Sequence, residues 1–327
     1  MKALRTLLLV GGVVVLGYLI ARIGTEPLLS SLGRLTWWQF LIVCLPYGAV
    51  MAMDTLGWRY AFPDPAAPYG RMLAARMAGE AVNVVTALGS VGGEAVKVWL
   101  LRPAVPYEAS VPSVVIAKTT ITIAQALFLA LGLVLAATTV TFEGPVVAAM
   151  QGLLVVEILA VGGFFAAQAS GLVGRAGRLL AWVGLIAQTS YAERLDASLR
   201  RFYRHEWRRF LASVAAHLAG WLLGVLETLV IMWVLELPVT LATATVIEAL
   251  GSAVRFATFL VPGSLGTLEG ANAAAFAALG LGAGAGLTFS LVRRGRQIVW
   301  IGVGLLVLVA ARWRAAAASV APRGSAR

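Results

Sequence analysis

One kind of segment occurs twice in this chain, and it limits what the chain can fold into. Residues 89–94 read Gly-Ser-Val-Gly-Gly-Glu, and residues 263–269 read Gly-Ser-Leu-Gly-Thr-Leu-Glu. Each follows an apolar stretch shorter than the roughly 20 helical residues that cross a bilayer. In both copies a cation stands 24 residues after the glutamate, Lys118 after Glu94 and Arg293 after Glu269. A glycine-rich break, a carboxylate and a cation thus recur at membrane depth. Charges there are costly and mark function by default. Interrupted helices at corresponding places in two halves of a chain point to a transporter's substrate site.

Composition supports a membrane setting. Of 327 residues, 60% are hydrophobic and 13% charged, too apolar for a soluble domain of this size. The net charge of +11 comes from cations in short loops beside apolar spans. Positive-inside topology and anionic lipid headgroups explain it better than nucleic acid, which is not an expected partner. Cys44 is the only cysteine, so no intrachain disulfide forms. His205 and His217, the only histidines, lack metal-ligand spacing. No phosphate loop, zinc helix or nucleophile elbow is present, so neither a cofactor nor an enzymatic reaction is expected.

Full spans are predicted near 4–23, 37–57, 113–138, 146–168, 210–235 and 286–310. The first begins beside Lys2 and Arg5 like a signal peptide, but it lacks a small-residue cleavage site and reads as a retained helix. Two further apolar segments, 71–101 and 241–280, are broken at Gly89–Gly93 and at Pro262–Gly266. Irregular backbone at membrane depth is tolerated only inside protein or against a watery cavity. Both are therefore read as re-entrant hairpins; for the second, a kinked helix pair that does cross is the alternative.

Charge distribution sets the topology. The N-terminal Lys2 and Arg5, the eight arginines between Arg175 and Arg209, and the C-terminal Arg312, Arg314, Arg323 and Arg327 mark the cytoplasmic side. All agree if both hairpins return to their own side, one from each face of the membrane. The expected fold is an all-α integral membrane protein of about six transmembrane helices and two opposed hairpins. Its halves, about 1–140 and 146–312, form an inverted repeat. Residues 174–204 read as a basic amphipathic segment on the cytoplasmic surface, and 315–327 as a disordered tail. Trp37, Trp38, Trp58 and Trp313 sit at predicted span ends as interface anchors.

The candidate substrate-binding residues are Glu94, Lys97, Lys118, Arg255, Gly263, Gly266, Glu269, Arg293, Arg294 and Arg296. Glu94 and Glu269 open short helices, where the macrodipole favours a carboxylate by about 0.3–1 kcal/mol. Burial at roughly 2.5–3.5 kcal/mol outweighs that gain, so a polar cavity or an ion pair with the downstream cation is expected. Backbone N–H groups at Gly263–Gly266 offer an anion site. Lys118, Arg293, Arg294 and Arg296 suit a lipid phosphate, or snorkel to an interface, or pair with the two glutamates. Glu248 with Arg255, Asn83, Glu80, Glu157, Glu227 and His217 are expected in internal pairs.

The runs Gly93-Glu94-Ala95-Val96-Lys97, Val261 to Gly270 and Leu287 to Arg294 resemble the transmembrane domain of lysylphosphatidylglycerol synthases, a flippase-like membrane family. The run through Arg296 and Gly302 looks most like its stand-alone branch associated with hopanoid transport. The resemblance covers roughly residues 4–312. It implies a bacterial inner-membrane protein that moves lipids, with Glu94, Glu269 and Arg293 lining the lipid cavity. The soluble aminoacyl-transfer domain of the synthases does not follow, so synthase activity is not expected. Lys97 stands where many relatives have arginine, and Leu268 replaces a commonly polar residue.

The expected function is a flippase or transporter for a polar-headed lipid: an anionic phospholipid, a polyprenyl-linked lipid or a hopanoid. Alternatives are an ion- or proton-coupled carrier of small amphipathic solutes and an accessory subunit of a lipid-modifying system. Membrane lipids are the expected partners, together with a second copy of the chain or a lipid-modifying enzyme.

Overall fold

The computed structural model describes residues 2–33, 35–63, 67–86, 91–138, 144–170, 172 and 190–320. Every regular element among them is helical. In chain order they are α1 (Lys2–Ile23), α2 (Thr25–Gly33), α3 (Trp37–Tyr60), α4 (Tyr69–Val85), α5 (Val91–Leu101), α6 (Tyr107–Thr138), α7 (Gly144–Ala169), α8 (Ser190–His205), α9 (Trp207–Val234), α10 (Leu241–Ala257), α11 (Thr267–Ala278) and α12 (Ala283–Val320). A 3-10 turn, Pro262–Ser264, precedes α11.

Five helices, α3, α6, α7, α9 and α12, are long and apolar enough to cross a membrane. The chain is a multi-pass membrane protein. The remaining expected span coincides with α1, a helix of 22 residues whose described apolar run is Leu9–Ile23. The predicted interruptions are present as pairs of short helices. α4 and α5 have 17 and 11 residues, and α10 and α11 have 17 and 12. At 1.5 Å per residue the longest of these is about 26 Å, below the hydrocarbon thickness of about 30 Å.

The two pairs close differently. In the first, α4 and α5 meet backbone to backbone, because a Cβ at Gly93 would strike the Gly79 carbonyl and the Asn83 side chain. Asn83 Oδ1 accepts from the Gly93 N–H at 2.7 Å. Val91, Gly92 and Gly93, the last residues of the expected break, are therefore helical; Gly89 and Ser90 lie outside the described residues. In the second pair the break is irregular: Gly263, Ser264 and Gly266 have φ of 59°, 50° and 78°. α1 crosses this break with Gly12 against Leu265 and Gly266, where a Cβ on either glycine would meet backbone.

α12 packs against both pairs, on α4 and on α11. Gly304 faces the Met77 carbonyl and Ala81 of α4, and Gly286 faces Asn272 of α11. α12 runs through Val320, six residues into the expected disordered tail; residues 321–327 lie outside the described set. α8 is amphipathic as predicted, but its apolar stripe is docked on protein. Leu199 and Phe202 are buried in a cluster with Met72, Leu101 and Ile116, and Tyr203 donates to Gln168 of α7 at 2.8 Å. The rest of the expected surface segment, 174–189, lies outside the described residues. Trp58 is core, 3% exposed, with its indole donating to Ser113 at 3.1 Å, whereas Trp37, Trp38 and Trp313 are exposed as anchors would be.

Candidate functional site

Many of the buried charged residues gather in two clusters that share helix α9. His217 and Glu227 lie ten residues apart on it, about 15 Å along the axis. Small residues on the same helix admit the partners: Gly220 faces Asp54, and Gly224 faces Glu248.

The first cluster is built on α3, α4, α5 and α9. Asp54 takes Arg76 at 2.6 Å and the His217 Nδ1 at 3.2 Å, so His217 makes the interhelical contact its sequence position suggested. Glu94 takes Lys97, one turn along α5, at 2.8 Å to each oxygen. Lys97 is buried, and its ammonium lies 5.8 Å from the Trp58 ring centroid. Two carboxylates face one guanidinium and one ammonium, so the contacting groups balance. Arg76 Nε and His217 Nε2 are left without hydrogen-bond partners. Lys118 is exposed and has no ion pair among the described residues, so Glu94–Lys97 stands in place of the expected Glu94–Lys118 pair.

The second cluster follows from the helical spacing of three arginines on α12. Successive residues turn by about 100°, so Arg293 and Arg296 share a face and Arg294 points away. Arg293 bridges two carboxylates, Glu227 at 3.1 Å and Glu248 at 2.6 Å. Arg296 reaches Glu227 at 3.1 Å and lies 3.9 Å from the Tyr47 ring centroid. Glu248 also takes Arg255 at 2.9 Å and the Thr228 hydroxyl at 3.0 Å. Arg255, Arg293 and Arg296 thus face Glu227 and Glu248, three cations against two anions. Glu227, Glu248, Arg293 and Arg296 are all buried.

Arg294 belongs to the helix break. Its Nε donates to Glu269 at 2.6 Å and its Nη1 to the Gly263 carbonyl at 2.7 Å. Glu269 is fully buried and accepts from the Gly266 N–H at 2.7 Å, capping α11. This corrects one expectation: Glu269 pairs with Arg294 and not with Arg293. Three of the N–H groups at the break are already engaged. The N–H groups of Ser264 and Leu265 are bonded to Val261 and Pro262, and that of Gly266 to Glu269.

Unpartnered donors are on side chains. In the second cluster Arg293 Nη1 and Arg296 Nη1 are buried without a hydrogen-bond partner, while Arg296 Nε makes only its ion pair with Glu227; at the break Arg294 Nη2 is likewise unpartnered. Buried donors of native proteins are almost always satisfied, so the two guanidinium nitrogens of the second cluster mark a place for acceptors. Beside it, Tyr47, Met51, Met77, Glu80, Gln297 and Trp300 are among the residues lining a small cleft between α3, α4 and α12. Tyr47 separates this cleft from Arg296, its ring set edge-on to Trp300 at 5.6 Å. Glu80, expected in an internal pair, has no ion pair among the described residues and lines the cleft.

Asp54, Arg76 and Tyr47 were not among the expected site residues. A lone aspartate in the apolar stretch 37–57 was the available signal. No group of three metal-ligating side chains occurs among the described residues.

A family model described as "Lysylphosphatidylglycerol synthase TM region" matches residues 4–306. No curated protein and no solved structure matches the chain.

Proposed function

The chain belongs to the lysylphosphatidylglycerol synthase transmembrane family, and from that premise we propose that it is a lipid transporter that passes a phosphate-bearing headgroup between leaflets. Family membership gives a lipid-related membrane function. The observation that carries the finer reading is the excess cation of the second cluster, together with its unpartnered guanidinium nitrogens. Guanidinium forks match phosphate oxygens in pairs, and one phosphate supplies both the missing charge and the missing acceptors. The cleft at Tyr47 and Trp300 adds apolar walls for the lipid near the headgroup.

In this reading the two short-helix pairs enter from opposite faces as halves of an inverted repeat, and the headgroup passes beside α12 between them. The same reading assigns the chain no chemical reaction. It places the chain in the bacterial inner membrane with both termini in the cytoplasm, on the support of the exposed arginines of α8 and the basic N-terminus. The arginine cluster favours an anionic phospholipid over an uncharged hopanoid.

The test is transbilayer movement of labelled phosphatidylglycerol and of a hopanoid in liposomes holding the purified protein. Arg296→Gln removes the excess charge and leaves Glu227 with Arg293. The proposal expects wild type to move phosphatidylglycerol and the variant to lose at least tenfold in rate. Equal rates in both proteins would reject the headgroup site, and movement of neither lipid by folded wild type would reject transport.

A further inference from the structure

Glu157 is the one carboxylate in the described spans that is fully buried and has no partner at all. It is 0% exposed, and neither oxygen has a hydrogen-bond partner. Asp54, Glu227, Glu248 and Glu269, buried alike, each hold an arginine. The place of Glu157 is as unusual as its isolation. It lies at the middle of the apolar run Val147–Gln168, about 15 Å from either end, which is half the thickness of a bilayer's hydrocarbon core. Residues 155, 156, 158, 159 and 160 around it are exposed. α7 therefore touches the protein along one narrow seam, Met150, Leu154, Glu157, Val161, Phe165 and Gln168, at helical spacing.

The seam packs on α6, α10 and α8. Leu129 and Leu133 of α6 and Ala249 and Ala253 of α10, in one core cluster with Met150 and Leu154, are apolar. The charged groups of those helices lie elsewhere. Thr119 of α6 meets Gln168 at 3.1 Å, so Lys118 and Glu108 sit at that end of α7 or beyond it. α8, with Asp196 and its arginines, packs at the same end through Tyr203. Glu248 and Arg255 of α10 are committed to one another. Gln168, the other polar residue of the seam, is satisfied by Thr119, Tyr203 and the Phe164 carbonyl.

An ionised carboxylate is untenable in such surroundings, and the group neutralises instead. Even the neutral acid is costlier here than a leucine filling the same seam. A group that is costly in the observed arrangement has its use in another one, and for a carboxyl the simplest use is to give up a proton. We infer that Glu157 is a proton-binding site, protonated in this arrangement of α7 and deprotonated when the seam opens to water. The exchange is the transfer of one proton from the carboxyl to water and back, and it provides a coupling ion for lipid movement. The proton site stands on geometry alone, whereas its coupling rests on the transport reading.

Two readouts separate the claims. A bilayer-soluble carbodiimide reacts with protonated carboxyls in apolar surroundings, so peptide mass mapping of treated full-length protein should find the adduct on Glu157. Glu227 and Glu248, held by arginines, should remain unmodified. Glu157→Gln should remove that adduct and leave the fold intact, since glutamine imitates the protonated acid. Labelling of Glu227 or Glu248 in place of Glu157 overturns the proton site. In liposomes, an imposed pH gradient should change the wild-type rate of phosphatidylglycerol movement severalfold and leave the Glu157→Gln rate flat. Identical gradient responses overturn the coupling. Modified Glu157 in a wild type that moves no lipid would retain the proton site and remove the transport reading.

Discussion

The two short-helix pairs start from the same sequence device and end as different structures. In the first, Glu94 is one-fifth exposed and satisfied within its own helix by Lys97. In the second, Glu269 is fully buried, caps its own helix and holds Arg294 from α12, which in turn holds the Gly263 carbonyl. A glycine break followed by glutamate therefore specifies a short helix with a carboxylate in its first turn and does not specify its partner. The partner is set by the helix packed alongside. The charge balance differs as well. The first cluster pairs two carboxylates with one guanidinium and one ammonium, whereas the second sets three cations against two anions and leaves Arg293 Nη1 and Arg296 Nη1 without acceptors. The first reads as a structural tie and the second as a seat for an anion.

The largest effect should come from cutting the second cluster at its centre. Arg293→Ala removes the cation that bridges Glu227 and Glu248, leaving Glu227 to Arg296 and Glu248 to Arg255, and breaking buried pairs costs about 3–5 kcal/mol. Lys97→Ala leaves Glu94 within reach of water and should cost less than half of that. Thermal unfolding in detergent measures both, and equal losses would erase the contrast between the clusters.

Next comes the break itself. Gly266→Ala places a Cβ against the Gly12 backbone at a φ of 78°, and overpacking of this kind costs about 1–3 kcal/mol. It should also loosen α1, which cysteine cross-linking between α1 and α11 would detect as a fall in yield. Gly93→Ala should instead part α4 from α5 and leave the α1 cross-link unchanged. An effect of similar size, about 1–3 kcal/mol, is expected for Glu269→Gln, which keeps an acceptor for the Gly266 N–H but leaves Arg294 without its counter-charge. The matching Glu94→Gln should cost less, because Glu94 is one-fifth exposed and Glu269 fully buried.

Much of this was legible in the sequence. Apolar length placed the five long helices, and the glycine breaks located both pairs, because those signals depend only on local residues. The Glu248–Arg255 pair was legible for the same reason, since seven residues are two helical turns. The choice of Arg294 over Arg293 as the partner of Glu269 was not, because it depends on how α12 is rotated against α11. Trp58 was misplaced on similar grounds. An aromatic ring near a span end suits an interface equally well, and only the neighbouring α6, with Ser113, decides for the core. Asp54 carried a signal that went unused, a single carboxylate in an apolar span, whereas its pairing with Arg76 and His217 needed three helices to be in place.

The central claim is that the uneven second cluster seats a lipid phosphate. The most direct measurement is native mass spectrometry of the full chain purified with phosphatidylglycerol or with diacylglycerol, comparing wild type, Arg296→Gln and the exposed Arg71→Gln. The account predicts that wild type and Arg71→Gln retain phosphatidylglycerol in preference to diacylglycerol, and that Arg296→Gln loses this preference. Retention of both lipids alike by wild type, or undiminished phosphatidylglycerol on Arg296→Gln, would contradict it.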